Sequence, residues 1–499
     1  YNTTNGFITG TPTTSAASLT GSQPGSVGAI VAAQSLSGVN SIYAFKTNAN
    51  VSGGTLQVVS NNTTTQLGGI LMNGAGAAAP VISSNLFFGL VNNNVSQLNG
   101  INFGEGVVYT STDFTGGTLP TLSGSVTANN FTKFGPGTLL FSGTNRISGS
   151  LAVQSGAVQF SGSSAQPASI NLTLNDAGSL DLNGGSVEVA ALAGSAGVVT
   201  NTSATAGTLL LLGRNDTTFT GTIQDGAGSV RVIKGGSATL TLGGPHASAS
   251  SNPIPNLNTF TGGFVLRSGQ VTLNTPTALG FASTGSTALE LQGGTLLLQP
   301  GGNGPGLATI IGHPSTNGLN VVVTGTGTAI NTDNNGGLGG NGIFDQVFQF
   351  NSLTLGNSTF SSNPSTDQQS LRFAGNVTGG NASIISVATA IGSTGRSVLE
   401  LSGIIQDTGA VPFALTKAGT GAIRITGGSS TFTGGTNVLA GVLQVAATSG
   451  NPLGTGAVVV YPGATLRLSG AGSTAGAASL EILSSPANLG QVVLDGNFS

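Results

Sequence analysis

The fold of this 499-residue chain is decided by the stretch Leu415-Thr-Lys-Ala-Gly-Thr-Gly-Ala-Ile-Arg-Ile-Thr-Gly-Gly-Ser429. It continues as Thr431-Phe-Thr-Gly-Gly-Thr-Asn-Val-Leu-Ala-Gly-Val-Leu-Gln-Val445. Within each short run apolar residues alternate with polar ones, and glycine or serine bounds the run. Such alternation is typical of short β-strands joined by tight turns, because successive side chains of a strand point to opposite faces.

The same elements recur elsewhere in the chain. The lysine-containing run matches Phe131-Thr-Lys-Phe-Gly-Pro-Gly-Thr-Leu-Leu-Phe-Ser-Gly-Thr-Asn145 and, more weakly, Val232-Ile-Lys-Gly-Gly-Ser-Ala-Thr-Leu-Thr-Leu-Gly-Gly244. The run after it matches Thr259-Phe-Thr-Gly-Gly-Phe-Val-Leu-Arg-Ser-Gly-Gln-Val-Thr-Leu273, and a third element pairs Phe219–Gly226 with Leu401–Thr408. Internal repetition of short strand units predicts a solenoid, in which successive coils stack along one axis.

The composition excludes several other classes of protein. Only 5% of the residues are charged, with 12 basic and 15 acidic side chains, so a nucleic-acid binder with a dense basic face is excluded. There is no cysteine, which excludes disulfide scaffolds and thiolate metal sites. The 83 glycines have no strict three-residue period, so collagen is excluded as well.

A solenoid of this composition needs an apolar interior. At roughly 20–25 residues per coil, a typical repeat length, aliphatic and phenylalanine side chains stack into ladders inside the coil. There are 22 phenylalanines against four tyrosines and no tryptophan, and phenylalanine carries no polar atom that needs a partner. We predict burial of Leu139, Leu151, Val153, Leu240, Leu242, Leu443 and Val445, together with some of Phe131, Phe141 and Phe160.

The repeats indicate three regions. Residues 1–50 repeat poorly and are expected to form either an N-terminal cap over the first coil or an extended arm, whose segment Gly6-Phe-Ile-Thr-Gly10 would add a strand to the open edge of a neighbouring copy. Residues 51–470 are expected to form the solenoid, and residues 471–499 a C-terminal coil or cap. The most apolar stretch, 68–91, is interrupted by Asn73, Pro80 and Asn85, which argues against a transmembrane helix.

The order L-T-K-x-G-x-G, then T-F-T-G-G-T, then A-G-x-L-Q-V resembles the autotransporter-associated β-strand repeat, also called the passenger-associated transport repeat. The resemblance is clearest over 131–160, 194–280 and 415–470. It implies an all-β protein with a right-handed parallel β-helix (β-solenoid), of bacterial origin. It also implies export to the extracellular space or the cell surface, although the given chain shows no signal sequence.

Candidate catalytic residues are few. The acidic residues are spread singly along the chain, and the nearest approach to a cluster is Asp176, Asp181 and Glu188. Glycan-cleaving β-helix enzymes need paired carboxylates in one groove, whereas isolated carboxylates cap turns. His246 and His313 lie in glycine- and proline-rich loops, far apart in the sequence. We therefore expect no catalytic residues and no bound metal.

Three further motifs resemble binding sites or recur in the chain. The segment Gly337-Leu-Gly-Gly-Asn-Gly342 matches G-x-G-x-x-G, but no β-α-β context surrounds it, so we expect a turn and no cofactor. Asp333-Asn-Asn335 lacks the final glutamate of a calcium loop. Lys133, Lys234 and Lys417 recur in register, which indicates a structural role, with each stem packed along the coil and each ammonium in water.

These observations predict an extracellular structural protein without enzymatic activity. It either assembles with itself into a filament or surface layer or acts as an adhesive passenger, because a surface with so little charge offers little repulsion to a second copy. Surface glycans are the other expected partners, whereas nucleic acid and membrane insertion are not expected. The alternative is a secreted β-helix that cleaves or binds glycans.

Overall fold

The computed structural model describes residues 18–20, 22, 27–60, 68–74, 76–90, 102–162, 170–244, 258–280, 288–299, 308–312, 317–333, 346–363, 369–380, 382–388, 397–469 and 477–495. The chain forms two compact units, Tyr1–Val230 and Arg231–Ser499. Throughout the described ranges the regular structure is β-strand, and no helix occurs in them. The predicted arm segment Gly6–Gly10 lies outside the described residues.

The first unit is wound from coils that each contribute a strand to three rows, labelled in chain order. The first row contains β1 (Val27–Ile30), β4 (Ala44–Thr47), β7 (Gly69–Met72), β11 (Glu105–Thr110) and β14 (Asn130–Phe134). The second row contains β2 (Gln34–Ser35), β5 (Val51–Ser52), β8 (Val81–Ile82), β12 (Thr121–Leu122) and β15 (Thr138–Phe141). The third row contains β3 (Val39–Ile42), β6 (Thr55–Ser60), β9 (Asn85–Leu90), β13 (Val126–Ala128) and β16 (Asn145–Ile147).

Neighbouring strands within each row pair in parallel, and the first two rows meet on the long strand β17 (Ser150–Phe160). The short strand β10 (Asn102–Phe103) pairs antiparallel with β9. The last coils of the unit contain β18 (Asn171–Asp181), β19 (Ser186–Val189), β20 (Ala191–Ala193), β21 (Val198–Thr200), β22 (Gly207–Leu211), β23 (Thr217–Phe219) and β24 (Thr222–Ile223). Strand β18 stacks in parallel on β17 and carries β20 and β21 on its other side.

The second unit repeats this plan with three parallel sheets. The first sheet contains β25 (Val230–Lys234), β27 (Phe264–Leu266), β29 (Ala288–Leu291), β32 (Asn320–Val323), β35 (Leu353–Leu355), β38 (Val377–Gly379) and β41 (Ile405–Asp407). The second contains β26 (Thr239–Leu242), β28 (Gln270–Leu273), β30 (Gly294–Leu298), β33 (Thr328–Thr332), β36 (Thr359–Asn363), β39 (Ile384–Val387), β42 (Leu415–Ala418), β44 (Thr436–Val438), β46 (Val458–Val460) and β48 (Leu480–Ile482). The third contains β31 (Ala308–Ile310), β34 (Val347–Phe350), β37 (Ser370–Phe373), β40 (Val398–Leu401), β43 (Ala422–Ile425), β45 (Val442–Val445), β47 (Thr465–Leu468) and β49 (Gln491–Leu494).

Parallel pairing in register places equivalent side chains of successive coils on top of one another. In the third sheet, Ile423 pairs with Leu443 and Leu443 pairs with Leu466, and all three are buried. Their neighbours Arg424 and Gln444 point outward from the same strands. The chain is therefore an all-β parallel β-helix, the fold that its sequence resemblance implied.

The predicted interior residues are all buried. Leu139, Leu151, Val153, Leu443 and Val445 have no exposed surface, and Leu240 and Leu242 have 2% and 1%. Phenylalanine rings stack inside the first unit, where Phe131 lies edge-on to Phe141 at 5.3 Å and Phe141 stacks on Phe160 at 5.2 Å between centroids. Phenylalanine is the main large filler of the core, because most of the largest fully buried side chains are of this type.

Truncation of one interior rung tests whether coils are stabilised by their neighbours. We expect Leu443→Ala to cost about 2–5 kcal/mol, since a fully buried leucine leaves a cavity. Amide exchange should accelerate in β43, β45 and β47 and remain unchanged in the first unit, because solenoid stability is mostly a nearest-neighbour property.

The matched control is Asn437→Ala, which removes an outward side chain from the adjacent strand β44 and should change stability by less than about 0.5 kcal/mol. Faster exchange in every coil of both units after Leu443→Ala would contradict the nearest-neighbour account.

Candidate functional site

The three recurring lysines occupy interior positions of the coils. Lys133 pairs with Val108 on one side and Val153 on the other, so it replaces an aliphatic rung in an inward column. Lys417 likewise lies between Ile385 and Val438. The exposed fraction is 0% for Lys133 and Lys417 and 1% for Lys234. The prediction that each ammonium group lies in water was therefore wrong.

Each ammonium group is enclosed by backbone carbonyl oxygens. Lys133 Nζ donates to the carbonyls of Gly135 at 2.5 Å and Gly137, which form the turn between β14 and β15. It also donates to the carbonyl of Ser155 at 2.8 Å, which belongs to the following coil. The three N–H groups of the ammonium thus match three carbonyls, which explains how the buried group is accommodated.

The other two copies have the same geometry. Lys417 Nζ donates to the carbonyls of Ala418 at 2.6 Å and Gly419 at 2.7 Å, and to Ala440 of the next coil at 3.0 Å. Lys234 Nζ donates to Gly235 and Ala238, both at 2.7 Å, and to Ser268 of the next coil at 3.5 Å. We call this arrangement the lysine clip: one inward lysine, two carbonyls of its own turn and one carbonyl of the following coil.

A glycine in the following coil completes each clip. Gly156, Gly269 and Gly441 directly follow the next-coil acceptors and have φ values of 67°, 73° and 66°. A Cβ on Gly156 would lie 2.5 Å from Lys133 Nζ, and a Cβ on Gly269 would lie 3.0 Å from Lys234 Nζ. The contact therefore joins the lysine of one repeated element to the Ala-Gly or Ser-Gly pair of the next. Glycine is required in that pair because it adopts a positive φ and leaves room for the ammonium group.

Burial disfavours the charged form of the clip lysines. Removal from water lowers the pKa of Lys133 to about 7 and that of Lys417 to about 8. No carboxylate among the described residues is bonded to either ammonium, so the carbonyl dipoles carry the whole stabilisation of the charge.

A second recurring residue, the aspartate of the Gln-Asp element, closes a turn. Asp407 accepts hydrogen bonds from the N–H groups of Phe413 at 2.7 Å and Thr433 at 3.1 Å, and from the Thr433 hydroxyl at 2.9 Å. Burial by itself would raise the pKa of Asp407, but these three donors lower it below its ordinary value. The equivalent Asp225 accepts from the N–H of Val230 at 2.7 Å. This role was not predicted from the sequence, and the recurrence of the Gln-Asp pair was the signal that pointed to it.

The structure places the three candidate carboxylates in different environments. Asp176 is exposed at a positive φ of 45°, and Glu188 is an outward residue of β19. Asp181 is buried and accepts from the Gln159 amide at 2.7 Å, the Thr202 hydroxyl at 2.6 Å and the N–H groups of Asn183 and Thr202 at 3.0 Å. Its oxygens are thus engaged in joining three chain segments.

The remaining candidates lie largely outside the described residues, as is the case for His246, His313, Asn334, Asn335 and the segment 337–342. Asp333 is described and accepts from the Gln299 amide at 2.9 Å. Within the described ranges, no group of three His, Cys, Asp or Glu residues is arranged to hold a metal ion. No helix in the same ranges is long and apolar enough to span a membrane.

Charged outward residues form a ladder on the third sheet. Arg372 Nε and Nη2 donate to the carboxylate of Glu400 at 3.1 and 3.3 Å, and Arg424 Nε donates to Gln444 at 3.1 Å. Arg467 Nε donates to Asp495 at 2.7 Å. These bonds join successive coils on the outside, as the clips do on the inside.

Removal of one clip tests its contribution to stability. Lys417→Met keeps the apolar stem but leaves three buried carbonyls without their donor, and each such carbonyl costs about 1–3 kcal/mol. Part of this loss is offset because the variant no longer has to bury a charged ammonium group. We expect a net loss of about 2 kcal/mol. Exchange should accelerate at the amides around Gly419 and Ala440, where the released carbonyls lie.

Lys46→Met is the matched control, because Lys46 is an exposed lysine on β4 and makes no such contact. We expect its stability to stay within about 0.5 kcal/mol of the parent chain. Equal stability of the Lys417→Met chain and the parent chain would show that the clip contributes nothing.

The clip also predicts a pH dependence. The pKa of Lys133 falls from 10.5 to about 7 on folding, so between these values the unfolded chain binds more protons than the folded chain. The free energy of unfolding of the first unit should therefore rise with pH from about 7 towards 10.5, and this contribution should be constant below pH 7. Urea unfolding followed by circular dichroism at pH 6, 7, 8 and 9 measures it, and Lys133→Met should remove this slope.

Comparison with known proteins places two of the three clips in a known repeat. Residues 131–160 and 415–445 match the passenger-associated-transport-repeat family, and these segments contain Lys133 and Lys417. The chain is 29% identical over 317 residues to the adhesin BmaC autotransporter of Brucella suis biovar 1 (strain 1330), a match that covers 60% of this chain and 8% of that protein. No solved structure matches the chain. The chain thus carries passenger-associated transport repeats wound into a parallel β-helix, as its sequence resemblance predicted.

Proposed function

We propose that this chain is an exported, surface-displayed β-helix that acts as an adhesive passenger without enzymatic activity. The observation that carries the proposal is that the recurring polar residues of the chain form hydrogen bonds with the backbone of the coils. The repeated lysines and aspartates donate to or accept from the backbone of their own and neighbouring coils, so their chemistry stabilises the solenoid.

Similarity to an autotransporter adhesin supports the adhesive role. The chain spans 8% of the length of that relative, and a solenoid presents binding surfaces along its sides in every segment. Adhesion through a stretch of coils is therefore the function that fits both the fold and the relative's name.

The glycan-cleaving alternative requires a carboxylate free to act as acid or nucleophile. Asp181 is the buried member of the only candidate group recognised in the sequence, and four donors occupy its oxygens. A carboxylate whose oxygens are occupied by four donors is held in a fixed position, which suits a cross-link between coils better than general acid catalysis.

Three measurements test the proposal. Antibody labelling of intact cells that produce the protein should detect it at the surface, and beads coated with the purified chain should adhere to cell or matrix preparations more strongly than uncoated beads. Incubation with a panel of polysaccharides should release no reducing ends and no unsaturated products. Absence of adhesion to every preparation would contradict the adhesive role, and released products would support the enzyme.

A further inference from the structure

The three sheets of the second unit differ in the charge of their outward side chains. Outward residues of the first sheet include Arg231 and Glu290, which form an ion pair at 3.5 Å. The third sheet carries the ladder that includes Arg372, Glu400 and Arg424. By contrast, the second sheet has no Asp, Glu, Lys or Arg at an outward position on its nine strands from β26 to β46. We call the outward side of these nine strands the neutral face.

Uncharged side chains, most of them small, form this face in continuous columns. One column follows the strand register through seven coils as Thr239, Gln270, Thr295, Ala329, Ser361, Ser386 and Ala418. A second column contains Thr359, Ile384, Thr416, Asn437 and Val459. Lys417 belongs to the same sheet but points inward, and Asp333 lies just beyond the end of β33, at the border of the face.

We propose that the neutral face is a docking surface for a second copy of this chain. This proposal rests on the adhesive function proposed above and names one partner for it. Two such faces meet without burying a charge, so the main desolvation cost of association is absent. Most of the side chains on this face are short enough for two sheets to approach to about 10 Å, the usual spacing of packed sheets. A two-fold axis brings the same columns of both copies together, as in most homodimers.

The size of the face sets the strength of the contact. Nine strands at about 4.8 Å and about four residues at 3.3 Å each give roughly 500 Å² per copy. The total of roughly 1,000 Å² lies at the lower limit of specific interfaces, so a pair of free molecules associates weakly. Many copies displayed on one surface multiply this contact, and two coated surfaces then adhere firmly.

The test uses beads coated with the full chain and measures how fast they cluster. We expect parent beads to cluster, whereas the dissolved chain sediments as a monomer at micromolar concentration. Thr295→Lys combined with Ser361→Lys places like charges opposite each other in the docked pair and should slow clustering by roughly tenfold or more. The matched control is Thr354→Lys combined with Thr378→Lys, which adds the same charge to outward positions of the first sheet and should leave clustering unchanged.

A charge-swap experiment then separates docking from a general effect of charge or of misfolding. Beads carrying the Thr295→Glu and Ser361→Glu chain should not cluster alone but should cluster with beads carrying the lysine variant. Equal clustering of the lysine variant and the parent, equal loss in the control, or failure of the mixed beads to cluster would each overturn the proposal. Adhesion of parent beads to cell preparations without bead clustering would overturn the neutral face as a self-docking surface while leaving the adhesive function intact.

Discussion

Each coil of this protein is buried only by the coils above and below it, and the rest of the structure depends on that constraint. A single coil has too few apolar side chains to enclose a core, so its interior residues must align with those of its neighbours. Parallel register provides the alignment, since it places Leu443 directly between Ile423 and Leu466. The register must then be held at every coil, because a shift of one residue would move the interior side chains of a strand to its outer face.

The lysine clip meets this requirement at the corner of a coil. A tight turn at the corner directs several carbonyl oxygens towards the interior, where water does not reach them. Lys133 and Lys417 supply the donors from an interior column, and their third bond fixes the position of the next coil. Burial of an ammonium group is unfavourable, and for this reason the pKa of both lysines is lowered. In return, the group fixes the corner of its own coil and the register between two coils. The glycines that follow the acceptors leave the space that the ammonium fills.

The outer faces of the second and third sheets in the second unit differ in charge. Ion pairs and amide bonds between successive coils occupy the third sheet, where Arg372 and Glu400 bond across two strands. The second sheet instead presents hydroxyl, amide and methyl groups without charge. The charged side chains on the described strands of the second unit are therefore distributed unevenly among its three sheets.

The strands, the interior residues and the repeat could all be predicted from the amino-acid sequence. Period-two alternation at Leu139, Leu151 and Val445 indicates which side chains are buried, because the strand period does not depend on distant contacts. The same alternation places Lys133 on the side of Phe131, so its inward direction was readable from the sequence, whereas the acceptors that make this direction acceptable were not. Gly135, Gly137 and Ser155 meet at the ammonium only after two coils have stacked. The roles of Asp181 and Asp407 also depended on donors far along the chain, such as Thr202 and Thr433. These contacts could not be predicted from the sequence, because the stacking of the coils, and not the local sequence, sets which distant backbone groups face a given side chain.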